Sequence, residues 1–302
     1  YQESAFTTQV PVQIVQSYNC MCCNSGMPEW QHPCIHQLHE GMTRGWVTGI
    51  IGKWGCWNIQ FSNSLELTGM CHGCSNDYWS LGEGTCPTKD DNVASANSLV
   101  RDLWRYNRST DVDSIGAPAG DLQNANFCSQ THQSNSTVNC TFEEQILLDR
   151  VLQLIDDHAA MTTPSPFFLL WSSHLVHMPL QAPEAYVQKF ADVKDEQRRM
   201  MRAMSNFLDQ AVGQVVNALK VTGLWNNTLI VAHADNGGEI MFDGVCGGNN
   251  WPMRGGKFSN WQGGVKTVAF VAGGLVPDGL RGSSNDGFVT VWDWFVSLVA
   301  WF

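Results

Sequence analysis

A chain of 302 residues with 43% apolar content can bury the core of one large α/β domain or two small ones, so disorder is not the expected state. Its 17 Lys and Arg against 28 Asp and Glu give a net charge of -11, which argues against nucleic-acid binding, because neutralising phosphates takes clustered cations. No apolar run reaches the ~18 residues a membrane helix needs, and no span is expected.

The chain begins at Tyr1 without an initiator Met or a charged-then-apolar leader, so no targeting signal is visible. The first third is rich in Cys, Trp, Gly and Asn. Its one clean apolar stretch, residues 46–51, predicts a short buried strand ending at Gly52, Lys53 and Trp54. Residues 55–140 read as mostly loop by composition. Three Asn-x-Ser/Thr sequons, at Asn107, Asn135 and Asn139, fall in that stretch, and a fourth lies at Asn226. Four sequons and eleven cysteines together favour an oxidising, secretory context, so a secreted or lysosomal glycoprotein with disulfides is expected. The spacing of Cys71, His72 and Cys74, and of Cys34, His36 and His39, would also suit tetrahedral zinc. Disulfides account for these cysteines more simply.

The pattern sharpens from Thr141. Thr141 and Glu144 form a capping-box signature ahead of Leu147, Leu148, Val151, Leu152, Leu154 and Ile155, which predicts a helix ending near His158. Pro164 and Pro166 then precede the apolar block 167–171, suited to a buried strand of a parallel sheet. Met200, Met201, Met204, Phe207, Leu208, Ala211, Val212, Val215, Val216 and Leu219 recur at helical spacing, and this helix should end near Gly223. Residues 228–234 read as a strand followed at once by Asp235, Asn236, Gly237 and Gly238, and the strand-helix-strand order implies a right-handed parallel crossover. A third apolar run spans 268–272, and 291–301 reads as a final helix. The expected fold class is α/β with a mostly parallel central sheet flanked by helices. Residues 141–302 form its well-patterned core, and 1–140 a loop-rich, Cys-rich part.

In open α/β sheets ligands gather beyond the carboxyl ends of the strands. Lys53, the pair His174 and His177, and the pair Asp235 and Asn236 all come after expected strands. Asp235 and Asn236 offer hard oxygen ligands to calcium or magnesium, although Asp-Asn-Gly is also a common turn. His177 could donate to an anion or protonate a leaving group, although a hydrogen-bonded loop histidine is the commoner case. Arg254, Lys257 and Lys266 concentrate positive charge in an acidic chain, as an anionic ligand requires. Gly255, Gly256, Gly263 and Gly264 would let backbone come close to it.

Residues 223–231 followed by Asp235, Asn236, Gly237 and Gly238 resemble the strand and metal motif of the sulfatase family, within the alkaline phosphatase superfamily. Residues 247–257 and 176–183 are similar to its arylsulfatase B branch, the N-acetylgalactosamine 4-sulfatase type. The resemblance implies an alkaline-phosphatase-like fold and a sulfuric ester hydrolase acting on aryl or carbohydrate sulfates. It implies a Ca2+ held in part by Asp235 and Asn236. Lys53 and Lys257 would bind the sulfate, and His177 would help bind it or assist the leaving oxygen. The family nucleophile is a formylglycine made from Cys in Cys-x-Pro-Ser-Arg, and none of the eleven cysteines here has that context. Tyr1 and Gln2 resemble the residues just after that motif, so the chain reads as a partial catalytic domain, incomplete at its start and without the carboxyl-terminal subdomain. Gly55 stands where the family usually has His two residues after the lysine of Gly-Lys-Trp, which keeps an inactive pseudo-sulfatase open as an alternative. A metal-dependent phosphodiesterase, with His174 and His233 as ligands, is the other. Nothing in the sequence sets an oligomeric state.

The 302-residue chain alone is therefore expected to release no sulfate from a chromogenic ester and to unfold at low temperature. A cooperative transition at high temperature in a thermal melt would count against this.

Overall fold

The computed structural model describes residues 12–16, 47–53, 65–69, 103–107, 117–118, 141–163, 165–177, 180–240 and 247–301. Their strands are β1 (Val12–Gln16), β2 (Val47–Lys53), β3 (Leu65–Gly69), β4 (Leu103–Asn107), β5 (Ala117–Pro118), β6 (Phe167–Ser172), β7 (Thr228–His233) and β8 (Ala269–Ala272). All join one sheet in the order β5-β4-β3-β2-β6-β1-β7-β8. The pairs β3 with β2, β2 with β6, β6 with β1 and β1 with β7 are parallel. The outer pairs β3 with β4, β4 with β5 and β7 with β8 are antiparallel.

Residues 55–140, read as mostly loop, also contribute the short strands β3, β4 and β5, so Asn107 ends a strand opposite Leu65. Strand β1, which the sequence does not signal, lies between β6 and β7, which therefore flank a shared neighbour and do not pair with each other. Five residues with only three apolar side chains are too short a pattern to stand out. Asn226 is exposed in the turn Trp225–Asn227 that leads into β7. Asn135, Asn139, Gly55 and both cysteine-histidine groups considered for zinc lie outside the described residues.

The helices are α1 (Glu143–Ala159), α2 (Glu184–Val187), α3 (Glu196–Val221), α4 (Gln262–Val265) and α5 (Val291–Trp301). The apolar stripe of α3 buries Met200, Ala203, Met204, Phe207, Ala211, Val215 and Leu219, while Asp195 caps its start by accepting from the Arg198 amide at 2.7 Å. Helix α1 buries Leu147, Leu148, Val151, Leu154 and Ile155 in the same core as α3 and β6. Phe142 meets Phe207 edge to face, with ring centroids 4.9 Å apart, and joins the two helices at that end. Strand β6 is buried along its whole length, as a strand covered on both faces must be. At the other margin β8 leaves Phe270 and Val271 exposed.

The capping box expected of Thr141 and Glu144 does not form. Phe142 occupies the cap position without a side-chain bond, and the Glu144 carboxylate turns instead to donors beyond β6.

Leu148→Ala, at a site with no exposure, should cost about 2–5 kcal/mol in denaturant unfolding. Asp195→Ala, which removes one exposed cap bond, should cost about 1 kcal/mol.

Candidate functional site

The strand register sets the site. Leu170 of β6 and Val231 of β7 both pair with Val15, so the last residues of those strands, Ser172 and His233, lie level. Ser172 in turn pairs with Gly52 of β2. The backbones of Lys53, Ser173 and Ala234 therefore leave the sheet at one height, along its carboxyl edge.

Beyond β6 the chain meets the first turn of α1. The two carboxylate oxygens of Glu144 accept from the Ser173 hydroxyl and from the His174 amide, each at 2.7 Å. Ser173 Oγ also accepts from the Leu175 amide at 3.1 Å. Nδ1 of His174 lies 3.3 Å from Glu143 Oε2 and 3.3 Å from Glu144 Oε1, an ion pair with two carboxylates. Burial by itself drives the His174 imidazole toward its neutral form. The Glu143 charge, with Glu144 behind it, reverses that and holds the pKa up at about 9. Both glutamates sit where unpaired helix amides and the helix dipole favour negative charge.

Two residues past Leu175, the His177 amide donates to the His174 carbonyl at 2.8 Å. Its Nε2 lies 2.7 Å from Nζ of Lys257. An ammonium has only donors, so Nε2 accepts and His177 carries its proton on Nδ1. Lys257 is further balanced by Glu239 at 4.0 Å, and its amide donates to the Gly238 carbonyl at 3.1 Å.

The segment after β7 and the segment 247–264 are joined by hydrogen bonds. Asn250 accepts from the Gly238 amide at 2.8 Å and donates to the Gly238 carbonyl at 2.7 Å. The Gly237 amide donates to the Gly264 carbonyl at 2.8 Å, and Arg198 of α3 donates to the Gly247 carbonyl at 2.7 Å. A methyl on Gly237 would overlap the Gly263 carbonyl. Gly255, Gly256, Gly263 and Gly264, expected to admit a ligand, likewise lie against other loop backbone or the Ser259 and Trp261 side chains, so their small size serves packing of the loop itself.

Asp235 and Asn236 are half-buried at the head of this unit. Asp235 Oδ1 accepts from the Asn236 amide at 2.8 Å, and the Asn236 side-chain NH2 donates to the Gly237 carbonyl at 2.9 Å. That bond commits the nitrogen and leaves the amide oxygen as the end a cation would meet. One carboxylate and one amide oxygen fit a hard cation, but calcium takes ~6–8 oxygens. No group of three or more His, Cys, Asp or Glu poised for a metal occurs among the described residues, so these two would be part of a ligand set.

Of the three cations expected to cluster, Lys257 alone is seen on His177. Arg254 stacks over the Trp261 ring at 3.8 Å, and Lys266 is exposed. Lys53 closes β2 opposite Gly69. Glu143, Glu144, Glu239 and Asn250 were missed as site residues. Adjacent acidic residues in a first helical turn read as ordinary dipole compensation, and their long-range partners leave no local signal.

Residues 43–302 match the family model described as Sulfatase. Among curated proteins the chain is 35% identical over 162 residues to arylsulfatase J of Mus musculus, covering 54% of this chain and 26% of that protein. It is 27% identical over 246 residues to N-acetylgalactosamine-6-sulfatase of Sus scrofa, covering 81% and 40%. The crystal structure of Ps i-CgsB in complex with k-i-k-neocarrahexaose is similar with a TM-score of 0.50 at 22% identity, over 75% of this chain and 44% of that one. PsFucS1 sulfatase from Pseudoalteromonas sp. gives 0.51 at 18%, over 75% and 42%. These structures share the fold. The chain spans less than half the length of each of these four relatives.

The His174 ion pair has a pH signature. Its pKa is raised in the folded chain from 6.5 to about 9, so its stabilisation is complete below pH 6.5 and is lost as pH rises through about 9. Denaturant midpoints should fall from pH 7 to pH 9.5, and His174→Gln should flatten that slope.

Proposed function

Because the chain belongs to the sulfatase family, we propose that it is part of a sulfuric ester hydrolase whose sulfate site is assembled at the carboxyl edge of the sheet. The observation that carries this reading is the 2.7 Å contact between Lys257 Nζ and His177 Nε2, linked through Gly238 to Asp235 and Asn236. An anion held there would draw the lysine's donors to its oxygens, since a charge-assisted bond to an oxyanion is stronger than one to a neutral imidazole. His177, released from Lys257, would take up a proton from solvent on Nε2 and become the imidazolium that faces the bridging ester oxygen. It would donate its proton as the sulfur-oxygen bond breaks and the alcohol leaves. Lys53, leaving β2 at the same height, is the second cation assigned to the sulfate. Fixed positive charge matters most where negative charge gathers on the departing oxygen.

Asp235 and Asn236 would hold part of a Ca2+ site, and the ion would add charge opposite the sulfate oxygens. The family's formylglycine supplies the nucleophile, and its precursor motif is not in this sequence. Residues 247–257 and 176–183 favour the arylsulfatase B branch and aryl or carbohydrate sulfates as substrates. A relative named for N-acetylgalactosamine 6-sulfate and a similar structure holding neocarrahexaose favour the carbohydrate side. The four sequons and eleven cysteines support a secretory or lysosomal glycoprotein, and no described helix is long and apolar enough to cross a membrane.

The second reading, an inactive relative that keeps the fold, rests on Gly55. Gly55→His in a longer protein carrying the nucleophile segment would raise activity if that reading holds. The phosphodiesterase reading needs His174 on a metal, whereas its Nδ1 faces two carboxylates of α1.

Calorimetric titration of the 302-residue chain with inorganic sulfate should show binding that Lys257→Ala weakens about tenfold or more, the loss of one charge-assisted bond. Asp235→Ala should abolish the calcium-dependent part. Absence of sulfate binding here, with no sulfate release by the longer protein, would sink the proposal.

A further inference from the structure

The family reading assigns no task to His174, Glu143, Glu144 or Ser173, yet all four are buried within reach of the site. Their plainest explanation is a structural ion pair. Energetics argue for something more, because desolvating three ionisable groups is expensive and well-packed apolar residues would stabilise the same volume as well or better. A buried polar cluster is retained more readily where geometry has to be specified.

The contacts form a continuous line. Helix α1 is anchored in the core through Leu147 and Leu148, neither of which has any exposure. From its first turn Glu144 holds the Ser173 hydroxyl and the His174 amide, and Glu143 and Glu144 together hold the His174 ring. The His174 carbonyl accepts from the His177 amide at 2.8 Å, and His177 Nε2 meets Lys257. Backbone and side chain of one residue are thus fixed at the root of the turn that carries His177.

We propose that His174 is a positioning residue: gripped by Glu143 and Glu144, it holds the turn 174–177 so that the His177 ring stays against Lys257. The inference rests on the reading of His177 and Lys257 as sulfate-binding groups, but the contact it explains can be measured without a substrate. A displacement of about 1 Å at such a site can cost a hundredfold in rate, which is why a group that never touches the ligand can still govern it.

The test uses the full chain labelled with 15N in its histidine rings. Lys257→Ala removes the contact, and the resulting change in the His177 ring signal calibrates a detached imidazole. His174→Ala should carry the His177 signal most of the way to that position. His174→Gln keeps N–H donors for the two carboxylates and should move it less. If His174→Ala does not fold, Glu143→Gln, which leaves both Glu144 bonds in place, is read in the same spectrum and should move the signal in the same direction. A His177 signal unmoved in a folded His174 variant, with only thermal stability reduced, would overturn the proposal, as would a wild-type signal indifferent to Lys257→Ala. Inorganic sulfate added to the wild-type chain gives a separate outcome. Should the His177 signal ignore sulfate yet respond to His174→Ala, the sulfate reading fails while the positioning role stands.

Discussion

A carboxylate with 2% exposure must have its lone pairs satisfied by the protein, and Glu144 meets that demand with the Ser173 hydroxyl and the His174 amide. Both donors lie where β6 leaves the sheet, so the start of α1 and the exit of a strand buried along its whole length are tied at one point. The 2.7 Å bonds place Ser173 and His174 against a helix whose apolar face is already committed to the core. The turn leading to His177 therefore starts from a fixed origin.

The other half of the site is fixed by different means. The segment after β7 turns back through Asn250, whose amide bonds both the amide and the carbonyl of Gly238, and Lys257 returns to that same carbonyl. Gly237 has to be glycine because backbone of the opposing segment occupies the space of a side chain. Two hydrogen-bonded supports, one built on a buried carboxylate and one on the Asn250 side chain and backbone bonds around Gly238, meet where Lys257 touches His177.

Charge in this region is placed one group at a time. In a chain of net charge -11, the Lys257 ammonium is held between a neutral imidazole and the Glu239 carboxylate, while Arg254 is drawn to the face of Trp261. A bond from an ammonium to a neutral imidazole is weaker than a charge-assisted bond to an oxyanion, so the His177 contact is the weaker kind.

Much of the carboxyl-terminal half was legible in the sequence. The helical stripe of α3, the apolar block of β6, and the strand that delivers Asp235 and Asn236 stand out because a buried face imposes its own period on the residues that form it. The ordered motifs also announced the family. Strand β1 was not legible, because five residues carry too little periodicity and their place between β6 and β7 depends on partners far away along the chain. Glu144 has the spacing of a local cap, yet in the folded chain the Ser173 hydroxyl and the His174 amide claim its carboxylate. Sequence alone determined which segments bury apolar surface and which polar residues come directly after them, since both are local consequences of residue order. Only tertiary structure decided that Lys257 meets His177 while Arg254 lies on Trp261 and Lys266 stays exposed, because which polar groups meet is set by the packing of segments 80 residues apart in the chain.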